Sequence, residues 1–396
     1  MSEAIRSPIR PEARARAAAT PRAGSRPHVC FVAPTTWPVL ARDRAIEVVG
    51  GAEVQQMLIA PALVRRGYRV SMICHDYGQP EGAEIDGVTV FNMHKPDGGI
   101  PVLRFFHPRL TSLWSALARA DADVYYQRSA AVWTGFMAAF CRRHGRASIY
   151  AAASDVDFIP GEQEIRFARD RRIFEWGLRR VDRVVVQNGA QREQLREHYG
   201  RESVLIASGY EPRPGARADR AGYVLWAATM RQSKQAEKLI EIARLLPQHR
   251  FVMVGGAEPG RRPYFEALLE AARALPNVAP VGFVPYADGE RYFDGARVLL
   301  NTSVYEGFPN TFLQAWSRGI PTVGFFDTGS RRGGEPPYDL VDDVPQAARA
   351  IDHLMRDDVH WQHASQRSLA HFRECHSMDT VIANYEREIA ALSESR

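Results

Sequence analysis

The sequence predicts an α/β protein built from two doubly wound, Rossmann-like domains that face a central cleft, and three observations lead there. From residue 28 onward short apolar runs alternate with helical patterns, the mark of parallel sheets covered on both faces. The alternation breaks at 208–222, a stretch of Pro, Gly, Arg and Ala without apolar periodicity, and then restarts. With 396 residues, 45% of them hydrophobic, the chain is too long for one ordinary domain and able to bury two cores.

The first half, 27–207, opens with a strand at 28–33. Val54, Leu58 and Leu63, with Gly67 as a stop, predict a helix over 52–66, and strands follow at 69–74 and 88–92. A helix at 110–120, a strand at 123–127, a helix at 130–145 and a strand at 147–152 continue the alternation. The stretch at about 163–180 carries dense charge of both signs, so a helix there is expected to be largely solvated. A strand at 183–187, a helix at 190–199 and a strand at 203–206 complete this half.

Beyond the 208–222 linker, the second half, 223–365, reads as strand 223–227, helix 235–246, strand 250–255, helix 264–275 and strand 278–281. Helix 288–296, strand 297–302, helix 309–318, strand 322–325 and helix 345–356 follow. A last helix, 378–392, lies in a C-terminal segment, 366–396. Two such halves turn the carboxyl ends of their sheets toward one cleft, which suits a nucleotide-bearing donor in one half and an acceptor in the other.

Charge narrows the class of partner. Residues 1–26 hold six arginines against Glu3 and Glu12, so +4 of the formal +5 sits in this tail and the folded remainder is nearly neutral. A surface dominated by phosphate contacts is therefore excluded, and no nucleic-acid partner is expected. The tail is too poor in bulky apolar residues to offset its ordering entropy and is expected to be disordered; Pro8, Pro11 and Pro21 count against an amphipathic transit helix. No window approaches the ~20 apolar residues of a spanning helix, so a soluble cytoplasmic protein is expected, able to rest on the inner face of a membrane. Cys30, Cys74, Cys141 and Cys375 are widely spaced and read as free thiols. The twelve histidines form no ligand cluster, and His28, His75 and His107 read as packing or surface residues.

The richest stretch is 305–316. It follows a strand, and Pro309 stands where proline favours a first helical turn. The free amides of Asn310, Thr311 and Phe312 suit a phosphate or pyrophosphate, and Gly307 permits close approach. Glu306, just ahead, can accept from two neighbouring sugar hydroxyls. Gln314, further along the helix, has an amide that both donates and accepts, which fits a ribose diol.

These residues carry a resemblance. Glu306-Gly-Phe-Pro-Asn-Thr-Phe-Leu-Gln-Ala-Trp316, followed by Gly319-Ile-Pro-Thr-Val323, resembles the donor signature of glycosyltransferase family 4, retaining enzymes of the GT-B fold. Gly50-Gly51-Ala52-Glu53, before a helix ending at Arg66-Gly67-Tyr68-Arg69-Val70, is similar to that family's amino-terminal phosphate loop and helix. The match spans about residues 28–392.

The resemblance implies an acceptor bound by the first half, a nucleotide sugar bound by the second, and a last helix that returns to pack on the first. It implies that Glu306 contacts the donor sugar and that the helix amides, with Gly307, Phe308 and Pro309 around them, hold the pyrophosphate. The family usually has a second Glu, which binds the ribose, where this chain has Gln314; a subset reads Phe-Leu-Gln-Ala-Trp, so Gln314 is expected to be a variant of that contact. The family's Arg five residues before a Lys is Thr229 here, Lys234 matches the Lys, and Arg231 is expected to substitute. Fixed cations there stabilise the charge that builds on a departing diphosphate.

Weaker candidates complete the set. Gly255, at a strand end, can admit the base or the diphosphate. Arg128, Asp155 and Asp157 lie near the carboxyl edge of the first sheet and are candidates for acceptor or sugar contacts; many family members have a His near the place of Asp155. Asp155 and Asp157 have the spacing of a metal-binding pair but lie in the acceptor half, and the resemblance implies no metal and no cofactor. No Gly-x-Gly-x-x-Gly follows the first strand and no Walker loop occurs, which disfavours a nicotinamide or ATP enzyme.

The expected function is a retaining, metal-independent hexosyl transfer from a nucleoside-diphosphate sugar to a glycan or glycolipid acceptor in cell-surface polysaccharide or glycolipid assembly. The alternatives are a nucleotide-sugar epimerase of the same fold and a silent sugar-nucleotide-binding module.

Overall fold

A computed structural model describes residues 26–43, 50–100, 103–219, 222–258 and 260–394. Most of the basic tail, and with it the expectation of disorder, lies outside these residues.

The first half holds strands β1 (His28–Val32), β2 (Arg69–Cys74), β3 (Ala83–Ile85), β4 (Val88–Asn92), β5 (Val124–Arg128), β6 (Ala147–Ala151), β7 (Arg183–Val186) and β8 (Val204–Leu205). They form one sheet in the order β3-β4-β2-β1-β5-β6-β7-β8, parallel except for the β3–β4 pair. The second half holds β9 (Tyr223–Ala227), β10 (Phe251–Val254), β11 (Val278–Gly282), β12 (Ala296–Asn301), β13 (Thr322–Gly324) and β14 (Asp339–Leu340). Their order, β11-β10-β9-β12-β13-β14, is parallel throughout. The apolar runs are continuous because both faces of each sheet are covered: every residue of β1, β5, β6 and β12 is buried. Alternate residues feed opposite cores. Cys30 and Val32 face one side of the first sheet, Val29 and Phe31 the other, and Trp226 and Leu225 divide likewise across the second.

The C-terminal helix, Met378–Glu394, buries Met378, Val381, Ile382, Tyr385, Ile389 and Leu392 in the core of the first half. Each such side chain contributes about 1.5–3 kcal/mol when removed from water, enough to hold the return. Tyr385 Oη meets Tyr126 Oη at 3.2 Å, and Glu388 accepts from Arg183 at 3.0 Å.

Three sequence expectations need correction. The charged stretch becomes a helix only over Ala168–Leu178, and it is packed, not largely solvated: Asp170, Phe174, Gly177 and Leu178 are buried. A Cβ on Gly177 would stand 2.6 Å from Gly135 Cα of helix Val132–His144, so two glycines let these helices approach closely. A helix over Asp358–His371 was not expected; it runs through the 365/366 boundary, and its Trp361 and Ala364 pack on the second half. The return therefore begins at Phe372–His376. Third, the short β3 pairs antiparallel with β4 at the sheet edge.

The two crossings between the halves run side by side. Tyr210 N–H donates to the His376 carbonyl (3.0 Å), and His376 Nδ1 lies 2.9 Å from the Ser208 carbonyl. His376 is buried, and burial pushes its imidazole down to about 3. A folded pKa below the unfolded value means that the unfolded chain binds more protons between about pH 3 and 6.5, so this stability is present above that window and lost as pH falls through it. We expect the wild-type melting temperature to fall faster between pH 7 and 5 than that of His376→Gln, by parallel thermal melts; equal slopes would contradict the assignment.

Candidate active site

Strand order reverses between β9 and β12 in the second sheet and between β1 and β5 in the first, and the carboxyl ends beside both reversals open on one cleft of about 550 Å³. Gly50, Gly51, Gln55, Arg128, Ser154, Glu164 and Ser208 line it from the first half. Thr229, Arg231, Lys234, Gly255, Gly256, Glu306, Gly307, Phe308, Asn310, Thr311 and Gln314 line it from the second.

The loops after β9 and β12 are laced together. Trp226 Nε1 donates to Thr302 Oγ1 (2.8 Å), the Thr302 hydroxyl donates to the Lys234 carbonyl (2.5 Å), and Val304 N–H donates to the Ser233 carbonyl (2.9 Å). On this frame Lys234 Nζ forms an ion pair with Glu306 Oε1, and the Ser303 hydroxyl donates to the same oxygen at 2.7 Å. The two charged side chains are only 11% and 15% exposed. Burial pushes the Lys234 ammonium below its usual range, with Glu306 opposing. Arg231 lines the cleft nearby, and its Nε is buried without a partner among the described residues.

Helix Asn310–Trp316 starts after Pro309, which caps it in an extended conformation. Asn310 and Thr311 occupy its first two positions, where amides have no intrahelical partner. The expectation for Phe312 is corrected: its N–H already donates to the Pro309 carbonyl (3.0 Å), and its ring is fully buried among Phe308, Trp316, Phe326 and Tyr338. The amide is used to close the first turn, and the ring anchors the helix to its own core.

Asn310 has a role that the sequence did not suggest. Its Nδ2 donates to the Gly51 carbonyl (3.1 Å) and its Oδ1 accepts from Gln55 Nε2 (2.7 Å), so the helix is tied to the opposite half. Gln55 also exchanges bonds with the backbone of Gly209 in the crossing segment, at 3.0 and 2.9 Å. Gln55 follows Gly51 by four residues, on the same helical face, and that spacing is the signal that could have found it.

Gly307 and Gly255 answer to backbone approach. A Cβ on Gly307 would stand 1.9 Å from the carbonyl oxygen of Ala153 in the first half; one on Gly255 would stand 1.8 Å from that of Ala228 in its own half. Since neither neighbour is a flexible side-chain end, Gly307→Ala is expected to hold the halves apart. Turnover should drop at least tenfold while nucleotide affinity changes only a few-fold; steady-state kinetics beside calorimetry checks this, and unaltered turnover would contradict it.

The first-half candidates separate. Arg128 lines the cleft and is 5% exposed, with Nη2 donating to Ser208 Oγ (3.1 Å) and Nη1 to Tyr126 Oη (3.4 Å). Asp155 accepts from Asn188 Nδ2 (3.0 Å) and Gln191 Nε2 (2.8 Å), and burial raises its pKa, with Glu306 adding to the rise. Asp157 is withdrawn from solvent, a correction to its candidacy as a ligand contact. Its carboxylate accepts from Tyr150 Oη (2.9 Å), Ala153 N–H (2.8 Å) and Ser154 N–H (3.3 Å), and burial pushes it up to about 6. It braces the turn after β6.

Gln314 lines the cleft but is 4% exposed, and its Nε2 donates to Glu290 Oε1 at 2.9 Å. Glu290, not anticipated from the sequence, also accepts from Tyr210 Oη (2.7 Å) and pairs with the fully buried Arg318 side chain. Among the described residues no group of three or more His, Cys, Asp or Glu side chains could hold a metal ion. Cys30, Cys74 and Cys141 are buried and Cys375 is half-buried, and no disulfide joins them. No described helix is long and apolar enough to cross a membrane.

Comparison with known proteins agrees with this geometry. Residues 49–213 match the model described as Glycosyltransferase Family 4, and residues 221–357 match Glycosyl transferases group 1. A component of the phosphatidylinositol N-acetylglucosaminyltransferase of Arabidopsis thaliana is 21% identical over 369 residues, covering 81% of this chain and 77% of that protein. Among solved structures, sucrose-phosphate synthase from Thermosynechococcus elongatus superposes with a TM-score of 0.75 at 17% identity, covering 94% of this chain and all of that one. Anabaena HepE in complex with UDP and glucose superposes with a TM-score of 0.69 at 16% identity, covering 92% of this chain and all of that one.

Proposed function

This chain is a glycosyltransferase of the family 4 type with the GT-B fold, and from that premise we propose that it moves a hexose from a nucleoside diphosphate to an acceptor hydroxyl with retention of anomeric configuration. One observation carries the reading: Lys234 and Glu306 meet on the floor of an interdomain cleft, at the ends of two adjacent strands where the sheet order reverses. A solved structure of HepE with UDP-glucose, TM-score 0.67, supports a nucleotide-sugar donor.

In this reading a diphosphate reaching Lys234 draws the ammonium from Glu306 and frees the carboxylate for sugar hydroxyls. The bond between the anomeric carbon and the leaving phosphate oxygen breaks as the acceptor oxygen bonds to that carbon from the same face. The acceptor proton passes to the leaving phosphate, so no enzyme nucleophile is required. Lys234 and Arg231 stabilise the charge that builds on the diphosphate, with the amides of Asn310 and Thr311 beside them. Closure across Gly307 and Asn310 excludes water and limits donor hydrolysis. Neither residues nor steps in this scheme call for a metal ion.

The acceptor is proposed to be a glycan or glycolipid bound by the first half, within polysaccharide or glycolipid assembly, with Arg128 and Asp155 as candidate contacts. Contact with the inner face of a membrane is proposed for Ile100, Leu103 and Phe106, which are 69%, 61% and 63% exposed and share their segment with Arg104 and Arg109. A calorimetric screen of UDP, GDP and ADP tests the donor class: one base should bind in the micromolar range, and absence of binding by all three would contradict the proposal.

A further inference from the structure

A buried carboxylate can fix which end of a neighbouring amide faces a ligand, because an ionised carboxylate only accepts hydrogen bonds. Glu290 stands on helix Tyr286–Asp294, whose Tyr286, Gly289, Tyr292 and Phe293 form one wall of the cleft. Its Oε1 accepts from Tyr210 Oη (2.7 Å) and Gln314 Nε2 (2.9 Å), while Oε2 pairs with Arg318. Arg318 is held in turn by Asp294 Oδ1 (2.9 Å) and by the Gln314 carbonyl (2.9 Å), and its side chain is fully buried. Burial alone would raise the Glu290 pKa, but Tyr210, Arg318 and Gln314 together bring it below its usual range, so Glu290 is ionised at neutral pH.

The amide of Gln314 therefore has one available orientation. Its NH2 must face Glu290, which leaves Oε1, an acceptor only, on the side that lines the cleft. A carboxylate at 314 would stand beside Glu290 with like charge and no cation of its own, since Arg318 and Arg213 are already shared between Glu290 and Asp294. On the same helix, one turn before Glu290, the Tyr286 hydroxyl is buried without a partner among the described residues.

We propose that Glu290 is a positioning residue that locks the Gln314 amide with its carbonyl toward the cleft, so that a neutral acceptor at 314 selects a nucleotide bearing free sugar hydroxyls. This rests on the nucleotide-donor reading above. The negative charge sits at 290, compensated by Arg318 with Arg213 at 4.0 Å, and acts through the amide. With Glu290 neutralised, the two flips of Gln314 approach equal energy and the selectivity weakens.

The test titrates UDP and 2′,3′-dideoxy-UDP into wild type, Glu290→Gln, Gln314→Leu and the double variant E290Q/Q314E, with the GDP and ADP pairs where UDP does not bind. Wild type should prefer the ribonucleotide by roughly fivefold or more, the size of one net hydrogen bond. The preference should fall toward unity in Glu290→Gln and Gln314→Leu and return in the double variant, where carboxylate and amide have changed places. A merely structural role for Glu290 would weaken both nucleotides equally and leave their ratio unchanged, and that result overturns the inference while the donor reading stands. Should Glu290→Gln fail to fold, Gln314→Leu, which leaves the Glu290–Arg318 pair intact, decides: an undiminished ratio overturns the proposal. Absence of binding of every nucleotide to wild type would instead fell the donor reading on which it rests.

Discussion

Lys234→Ala is expected to lower the turnover number by roughly 100- to 1,000-fold, the usual consequence of removing one fixed group that stabilises developing negative charge. The dissociation constant for the nucleoside diphosphate should change far less, because Arg231 and the start of helix Asn310–Trp316 remain. Lys234 and Glu306 are largely shielded from solvent, and breaking a fully buried pair costs about 3–5 kcal/mol as an upper bound, so the folded fraction must be measured alongside the rate. An unchanged turnover number in folded protein would rule out the leaving-group role. Steady-state kinetics with a saturating donor makes the comparison.

The second large effect belongs to Glu306. Glu306→Ala is expected to abolish transfer, and Glu306→Gln, which preserves shape and a hydrogen bond from Ser303, to reduce it at least roughly 100-fold. Nucleoside diphosphate should still bind, since the carboxylate is assigned to the sugar, and freeing Lys234 from its partner removes a competitor for the phosphates. Calorimetry with the nucleoside diphosphate and with the full nucleotide sugar separates the two parts of the donor. Equal loss of affinity for both would sink the assignment of Glu306 to the sugar.

The architecture was legible because burial on two faces leaves a strong trace. β9 and helix Met378–Glu394 lie where apolar runs and helical spacing put them, and Gly50 caps a helix that begins at Gly51. The missed elements were those whose signal is weak. β3 is three residues long, and helix Asp358–His371 is polar over much of its length because it buries few side chains, among them Trp361 and Ala364.

At the site, local motifs and the family resemblance singled out Glu306, Lys234, Arg231 and Gln314, which line one cleft, but they could not show partners distant in sequence. Asn310 read as part of an anion site, yet its side chain bridges to Gly51 and Gln55, more than 250 residues away. Phe312 and Asp157 were misread for one physical reason: a polar group near a cleft can be consumed by its own turn, as the Phe312 amide and the Asp157 carboxylate are. Glu290 gave no local signal at all. Its role follows from Arg318 and Tyr210, which reach it from two other segments.

The central claim is retaining transfer from a nucleotide sugar, and product analysis tests it most directly. The purified protein is incubated with α-linked UDP, GDP and ADP sugars, with and without extracted lipid and glycan acceptors, and the anomeric proton of each product is read by NMR. The expected result is acceptor-dependent release of nucleoside diphosphate and a new α linkage. Donor isomerisation or hydrolysis that proceeds equally without acceptor, or a β-linked product, would contradict it.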